Sequence, residues 1–294
     1  MGKKIGYFSL GVAVFLAALV LTVIVQTVVA FPATFKVGLE AGMQGITDRE
    51  TITEMSMEAL QDVLPYCVLA SHISYILVFS LWYHFGCGRP SLKKVNYKSI
   101  FAPKLLVGTV LIGVGMCYFM NFALELVFPY IPENIMNSYL EMMEQAQMGT
   151  NIVSIIAAVF LAPIGEELIF RGVLFHYCKK AVEDMSNRTA AFWIANIVQA
   201  FFFGCLHMNL VQGTYAFLLG LVIGYVGNRF KSVLPCVLVH FLFNGVSTLT
   251  GDAVTEILSE SVAVLAILTV VTLVVVAVGM VMIKEKRVLV EAEA

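Results

Sequence analysis

Charged residues are scarce in this chain. Only 13% of its 294 residues are Asp, Glu, Lys or Arg, whereas soluble domains contain roughly 25%. The formal net charge is -2, and the Lys and Arg residues lie in short clusters between apolar runs rather than on one basic face. This distribution excludes nucleic acid as a partner. Because 60% of the residues are hydrophobic, the composition predicts a polytopic membrane protein whose main partner is the lipid bilayer.

Paired cysteines are missing as well. No CxxC pair occurs, which argues against a zinc knuckle and against a disulfide framework. The cysteines are scattered one to a segment, at Cys67, Cys87, Cys117, Cys178, Cys205 and Cys236. We expect them to pack in the protein core. The chain also lacks a visible internal repeat of the transporter type, which disfavours a transporter.

Eight apolar runs are long enough to form membrane-spanning helices. They cover Ile5–Phe31, Leu64–Phe85, Ile100–Phe128, Ile152–Tyr177, Thr189–His207, Thr214–Gly227, Val233–Thr250 and Ser261–Ile283. The predicted fold class is therefore all-α, a polytopic membrane helix bundle of about eight transmembrane helices. The first run is longer than the roughly 7 to 15 apolar residues of a signal peptide, so we expect it to be retained.

The segments that connect these runs alternate in charge. Residues 32–62, 129–150 and 251–260 are acidic, whereas the intervening segments and both terminal segments are basic or neutral. The positive-inside rule then predicts a multi-pass protein of the cell membrane with both termini in the cytoplasm. Because the later half of 32–62 has the spacing of an amphipathic helix, we expect this segment to lie on the non-cytoplasmic membrane surface.

The fourth run contains three ionisable residues that an apolar helix should not tolerate. Glu166, Glu167 and Arg171 occupy six positions, and each charged residue at the centre of a membrane helix costs roughly 2.5 to 3.5 kcal/mol. They therefore require partners or water. Glu167 and Arg171 have the i,i+4 spacing and the order that favour an ion pair. Such a pair leaves Glu166 placed to act as a general base on water.

Two other runs contain polar side chains one helical turn apart. Phe203 and His207 are four residues apart in the fifth run, and His240 and Asn244 are four apart in the seventh, so each pair shares a helix face. The second pair supplies two donors for a tetrahedral oxyanion. Alternatively, Glu166, His207 and His240 are suitable ligands for zinc, although the chain lacks an HExxH helix.

These residues together resemble a known family of membrane proteases. Three spaced motifs match in order, Glu166-Glu167-x-x-x-Arg171, Phe203-x-x-x-His207 and His240-x-x-x-Asn244. They look like the motifs of the CAAX-protease and bacteriocin-processing (CPBP or Abi) family of intramembrane glutamic endopeptidases, over about residues 150–250. The resemblance implies that Glu166 and His207 activate water, that His240 and Asn244 form the oxyanion site, and that no cofactor is required.

Other polar residues receive supporting roles. We expect Glu167 and Arg171 to form a structural ion pair and Phe203 to shape the pocket wall. We assign the remaining polar residues in or near the runs to helix–helix hydrogen bonds or interface positions; they include His72, His84, Asn121, Glu125, His176, Asn196 and Gln199. A water-filled cavity that opens toward the cytoplasm would supply water to Glu166.

The chain is predicted to have three parts. Residues 1–150 comprise N-terminal transmembrane helices with an extracytoplasmic amphipathic segment, 151–250 the catalytic helix core, and 251–294 a C-terminal transmembrane helix and cytoplasmic tail. The resemblance implies an endopeptidase that cuts a membrane-associated peptide or protein, either a lipidated CAAX-type substrate or a leader peptide. The alternatives are a zinc-dependent metalloprotease that uses the same residues and a non-catalytic scaffold or immunity protein. The complete set of candidate catalytic positions favours an enzyme over a scaffold.

Overall fold

The computed structural model describes residues 2–88, 100–145, 151–258 and 261–284, and within these ranges every regular element is a helix. Nine helices follow in chain order: α1 (Gly2–Gln44), α2 (Arg49–Trp82), α3 (Pro103–Val127), α4 (Glu133–Gln145), α5 (Ile152–Ala181), α6 (Arg188–Leu206), α7 (Leu210–Phe230), α8 (Leu234–Leu258) and α9 (Val262–Lys284). A π-helical turn at Tyr83–Gly88 follows α2, and a 3-10 turn at Phe128–Tyr130 follows α3. The predicted all-α fold class is confirmed.

Eight of these helices correspond to the eight predicted apolar runs. Seven are long and apolar enough to cross a membrane, and α8 contributes a shorter apolar stretch, Leu234–Thr250. The remaining helix, α4, is short and polar on one side, so it is not a spanning element. The protein is therefore a multi-pass membrane protein.

Residues 32–62 differ from the prediction of a separate segment on the membrane surface. They continue α1 and begin α2, so that the two helices form one long hairpin. Gly45 ends α1 with a φ of +68°, the left-handed conformation common after helix ends. Asp48 starts α2 by accepting the amide of Thr51 at 2.8 Å. Hydrogen bonds from the amide and the hydroxyl of Thr51 hold the pKa of the Asp48 carboxyl below its ordinary value.

The two ends of the bundle have opposite charge. Lys4 pairs with Asp184 at 3.3 Å, and Arg229 Nε donates to the Ile283 carbonyl oxygen at 3.0 Å. These contacts place the start of α1, the α5–α6 turn and the ends of α7 and α9 together. We call this the basic end. Its described cations are Lys3, Lys4, Lys104, Lys179, Lys180, Arg188, Arg229, Lys231 and Lys284.

The opposite end, called the acidic end, comprises the α1–α2 hairpin, α4 and the start of α5. Its carboxylates are Glu40, Asp48, Glu50, Glu54, Glu58, Asp62, Glu133, Glu141 and Glu144, and the described cations near them are Lys36 and Arg49. The predicted basic cluster of Arg89, Lys93, Lys94 and Lys98 lies outside the described residues. Among the described residues, the charge alternation read from the sequence thus becomes a separation of charge between the two ends.

Two hydrophobic clusters form the interior. One joins α3, α7, α8 and α9 around Ile112 and Ile223, and the other joins α1, α2, α5 and α6 around Phe79 and Phe170. The helices of the two clusters meet along α5, α6, α7 and α8, and the predicted site residues lie on α5, α6 and α8 and directly after α6. All six cysteines are free thiols, and those at Cys67, Cys117, Cys178 and Cys236 are buried in the packing, as expected.

Close packing of α6 against α7 depends on small residues. A Cβ atom at Gly220 would lie 3.0 Å from the Cβ of Ala200, and one at Gly224 would overlap the side chain of Asn196 and approach Gln199 Nε2 at 2.6 Å. Glycine lets two membrane helices approach this closely. The close helix packing predicted from the Gly220-x-x-x-Gly224 spacing is present.

Candidate active site

Helix α5 departs from regular α-helical geometry on both sides of the paired carboxylates. π-helical segments at Ile156–Leu161 and Leu168–Leu174 flank the α-helical turn Ala162–Glu167. Pro163, which lacks a backbone donor, is the second residue after the first of them, and such irregular turns accommodate a proline inside a helix. In this setting the adjacent side chains of Glu166 and Glu167 are both buried, with 7% and 0% of their surface exposed.

Glu167 is the centre of a buried ion-pair network. Its Oε1 atom accepts a hydrogen bond from Arg171 Nη1 at 2.8 Å and another from His240 Nδ1 at 2.9 Å. A carboxylate that already accepts from an arginine serves as acceptor, so the Nδ1 atom of His240 carries a proton. The ion pair predicted from the i,i+4 spacing is therefore present. The bond to His240 was not predicted, because spacing within one helix cannot reveal a partner on another.

Arg171 connects α5 to the α6–α7 pair. Its Nη2 atom donates to the Gly220 carbonyl oxygen at 3.3 Å, and its guanidinium carbon lies 4.4 Å from the ring centroid of Phe203. Arginine over an aromatic face is a favourable cation–π contact. Gln199 Nε2 donates to the same Gly220 carbonyl at 2.9 Å. Arg171 is thus placed to hold three helices together rather than to face a substrate.

Asn196 and Gln199 have the helix–helix role predicted for them. Asn196 Nδ2 donates to the Leu221 carbonyl oxygen at 2.9 Å, and its Oδ1 accepts from Gln199 Nε2 at 2.9 Å. Both side chains are fully buried. These bonds satisfy both polar atoms of the Asn196 side chain and the Nε2 atom of Gln199, which would otherwise be costly inside the bundle.

Glu166 is separate from the arginine and faces a cavity. Its Oε2 atom lies 3.9 Å from His240 Nε2, and its side chain lines a cavity of about 530 Å³. His240 therefore lies between the two carboxylates, with one ring nitrogen toward each. The predicted division between a paired Glu167 and a cavity-facing Glu166 is what the structure shows.

His207 directly follows the last residue of α6, where the chain reverses into α7. Its Nδ1 atom lies 3.0 Å from the Phe203 carbonyl oxygen, so Nδ1–H donates and Nε2 retains a lone pair. Met208 adopts a φ of +54°, and Asn209 accepts the amide of Val211 at 3.0 Å to start α7. His207 and Glu166 line the same two cavities, so His207 approaches the site from the end of a helix.

The remaining predicted residues complete the cavity wall. Asn244 Nδ2 donates one of its two hydrogens to the Ala158 carbonyl oxygen at 2.8 Å. The ring centroid of Phe203 lies 5.2 Å from that of His207 and 5.7 Å from that of His240, edge-on in both cases. Phe203 therefore fixes the positions of two imidazoles. The four candidate catalytic side chains line the same cavity: Glu166, His207, His240 and Asn244.

His72 of α2 was missed as a possible site residue by the sequence analysis, which assigned it to helix–helix hydrogen bonds. It lines the site cavity and also a neighbouring cavity of about 410 Å³ that lies between α1, α2 and the end of α6. Its buried Nδ1 atom has no hydrogen-bond partner among the described residues. A single histidine outside the three motifs gives no spacing signal, so the sequence could not identify it.

The site cavity extends toward the acidic end of the bundle, and the expectation that it opens toward the cytoplasm stays a prediction. Besides the catalytic candidates, the site cavity is lined by residues of the acidic end, including Leu64, Pro65, Met142, Met143 and Gln145. A different cavity, of about 370 Å³, occupies the basic end and contains Lys179 and Lys180. The sequence could not reveal this, because counting residues from helix ends does not show that α6 ends beside the cavity.

The predicted zinc alternative requires Glu166, His207 and His240 to be arranged around one metal ion. In the described part of the chain, no three His, Cys, Asp or Glu side chains are arranged to hold a metal ion. The Nδ1 atoms of His207 and His240 are engaged by Phe203 and Glu167. Zinc binding by Glu166, His207 and His240 stays a prediction.

Comparison with known proteins agrees with the motif reading. Residues 148–246 match the family model described as type II CAAX prenyl endopeptidase Rce1-like. The match covers about a third of the chain and includes all seven predicted site residues. No curated protein and no solved structure matches the chain. The resemblance inferred from the three motifs is confirmed: residues 148–246 of this multi-pass membrane protein match an Rce1-like CAAX prenyl endopeptidase domain.

Proposed function

We propose that this protein is an intramembrane endopeptidase that hydrolyses a peptide bond of a membrane-associated substrate with water activated by Glu166. The family match supports a protease in general. The single observation that carries the mechanism is that two adjacent carboxylates have different surroundings. Glu167 accepts from Arg171 and His240, whereas Glu166 faces the cavity, so Glu166 is the carboxylate available to water.

The first step is attack of water on the scissile carbonyl. Glu166 accepts a proton from the water molecule while its oxygen bonds to the carbonyl carbon. His207 orients this water, because its Nδ1–H is engaged by the Phe203 carbonyl and its Nε2 lone pair is left to accept a hydrogen bond. The new C–O bond converts the carbonyl oxygen into an oxyanion.

The oxyanion faces α8. The second amide hydrogen of Asn244 is available to it, because the first is donated to Ala158. His240 donates from Nε2 when its ring carries both protons, since Nδ1–H is engaged by Glu167. Each such donor is worth roughly 2.7 to 4 kcal/mol in the transition state. When the C–N bond breaks, the leaving amine takes the proton that Glu166 accepted, and no cofactor is required.

Purified protein in proteoliposomes, incubated with membrane-associated peptides, tests this proposal by mass spectrometry of the products. The panel should contain prenylated CAAX-type peptides and leader-type peptides, because these are the two substrate classes predicted from the family. Glu166→Gln should remove cleavage and leave the thermal melt unchanged, because the amide has the same shape but cannot accept the proton. Glu50→Gln, at an exposed position at the start of α2, is the matched control and should cleave normally. Cleavage by Glu166→Gln at the wild-type rate would exclude the mechanism.

A further inference from the structure

We propose that the active site receives its substrate from the extracytoplasmic side of the membrane, and that this substrate is a membrane-anchored peptide with a cationic flank on that side. The nature of the substrate rests on the proposed protease function. The side of entry rests on the charge distribution and the cavity alone.

The charge distribution orients the bundle. Lys and Arg residues near the ends of membrane helices remain in the cytoplasm. The basic end contains cations from α1, α3, α5, α6, α7 and α9, whereas the described cations at the acidic end are Lys36 and Arg49. The basic end is therefore cytoplasmic, and the α1–α2 hairpin and α4 lie outside.

The site cavity opens on this outer side. Besides the catalytic candidates and His72, six polar residues from five helices line this cavity: Gln26, Gln145, Ser154, Gln212, Ser247 and Thr248. Toward the basic end, the site is closed by the network of Glu167, Arg171 and Phe203, of which no side chain is more than 6% exposed. Water and substrate thus reach Glu166 from the acidic end.

A lateral opening admits a membrane-anchored substrate. The cavity between α1, α2 and the end of α6 shares Glu166, His72 and His207 with the site cavity. Val23 and Met208, on its outer wall, are 64% and 84% exposed. In a membrane these positions face lipid, so an apolar anchor can enter from the bilayer and extend to the catalytic carboxylate.

The charge around the mouth selects a cationic peptide. Met142, Met143 and Gln145 line the cavity, which places Glu141 and Glu144 of the same short helix beside its mouth. No Lys or Arg is among the described residues that line it. A positively charged flank is complementary to this rim. A free C-terminal carboxylate of the CAAX type would meet glutamates there and find no cation to bind.

Labelling of single cysteines tests the side of entry without reference to catalysis. In a variant whose six native cysteines are replaced by alanine, Gln145→Cys at the mouth is compared with Lys180→Cys at the basic end. A membrane-impermeant maleimide should label Gln145→Cys on intact cells and Lys180→Cys only after permeabilisation. The reverse pattern would overturn the inference. If the cysteine-free variant does not fold, the same substitutions in the wild-type background, read by mass spectrometry of labelled peptides, give the answer.

Cleavage of matched peptides tests the substrate class. Two peptides share one apolar anchor and carry three Lys or three Glu residues on the flank beside the mouth. The Lys peptide should be cleaved on the order of tenfold faster at low salt, and the ratio should fall as salt increases. Glu141→Lys with Glu144→Lys should reduce this preference, whereas Glu50→Lys at the tip of the hairpin should not. Equal rates for the two peptides would overturn the cationic preference. Absence of any cleavage refutes the protease function and the substrate class, but the labelling still decides the side.

Discussion

The imidazole of His240 and the carboxylate of Glu167 are joined by a hydrogen bond of 2.9 Å between Nδ1 and Oε1. This bond links α8 to α5 inside the bundle, between side chains that are 3% and 0% exposed. It leaves Nε2 as the ring atom that faces Glu166 and the cavity. Glu167 therefore positions the histidine, and Glu166 remains the carboxylate for chemistry.

Arg171→Ala should strongly destabilise the protein. The substitution leaves a buried carboxylate without its cation, and breaking one partner of a buried pair costs about 3 to 5 kcal/mol. Lys36→Ala is the matched control, because Lys36 and Glu40 have the same i,i+4 spacing at 3.6 Å but are exposed. An exposed pair is worth about 0 to 1 kcal/mol. Thermal melts in detergent should separate the two variants; equal shifts would show that the Arg171 network is not structural.

His240→Ala and Asn244→Ala should have different consequences. Both should lower turnover by about 10²- to 10³-fold, the usual effect of losing an oxyanion donor, with little change in KM. His240→Ala should lower the melting temperature more than Asn244→Ala, because His240 is bonded to the buried carboxylate of Glu167, whereas Asn244 donates to a backbone carbonyl. Steady-state kinetics and melts on the same preparations test this. Full activity of Asn244→Ala would remove α8 from the oxyanion site.

His72→Ala should weaken substrate use without unfolding the protein. His72 lines both cavities, so its ring is placed to contact a bound peptide. Loss of one hydrogen bond of about 1 kcal/mol corresponds to about a fivefold fall in kcat/KM, expected mainly in KM. His84→Ala, at an exposed position after α2, is the control. Identical kinetics for both variants would show that His72 does not contact the substrate.

Gly224→Ala should loosen the packing of α6 against α7. The added Cβ atom would overlap Asn196 and lie 2.6 Å from Gln199 Nε2, and overpacking of this kind costs about 1 to 3 kcal/mol. Gly42→Ala adds the same atom to α1, where no heavy atom lies within 4 Å. Melting temperatures should fall for Gly224→Ala and stay level or rise for Gly42→Ala. A fall in both would point to a general effect of losing glycine.

The sequence predicted those features that depend on local spacing and composition. Apolar run length located the seven helices that can cross a membrane and the shorter apolar stretch of α8, and the i,i+4 rule found the pair of Glu167 and Arg171. The Gly220-x-x-x-Gly224 pattern indicated the close approach of α6 and α7. Each of these is a property of one segment and its periodicity, which a sequence displays directly.

Features that depend on how the helices pack against one another could not be predicted from the sequence. The bond between His240 and Glu167 joins residues far apart in the chain, and His72 lies outside every motif. The continuation of α1 and α2 through 32–62 depends on capping at Gly45 and Asp48, and the acidic segment gave no reason to prefer it over a surface helix. The side on which the cavity opens depends on the level of the α6–α7 turn. These follow from tertiary packing, which periodicity does not encode.

The measurement that tests the central claim most directly is cleavage by the metal-depleted enzyme. Purified protein should be treated exhaustively with a strong zinc chelator, analysed for metal, and assayed on the same peptide as the untreated sample. If Glu166 activates water directly, activity should persist with well under one equivalent of zinc, and added zinc should not increase it. Loss of activity on chelation, restored by stoichiometric zinc and accompanied by metal release in His207→Ala and His240→Ala, would contradict the account and make Glu166, His207 and His240 metal ligands.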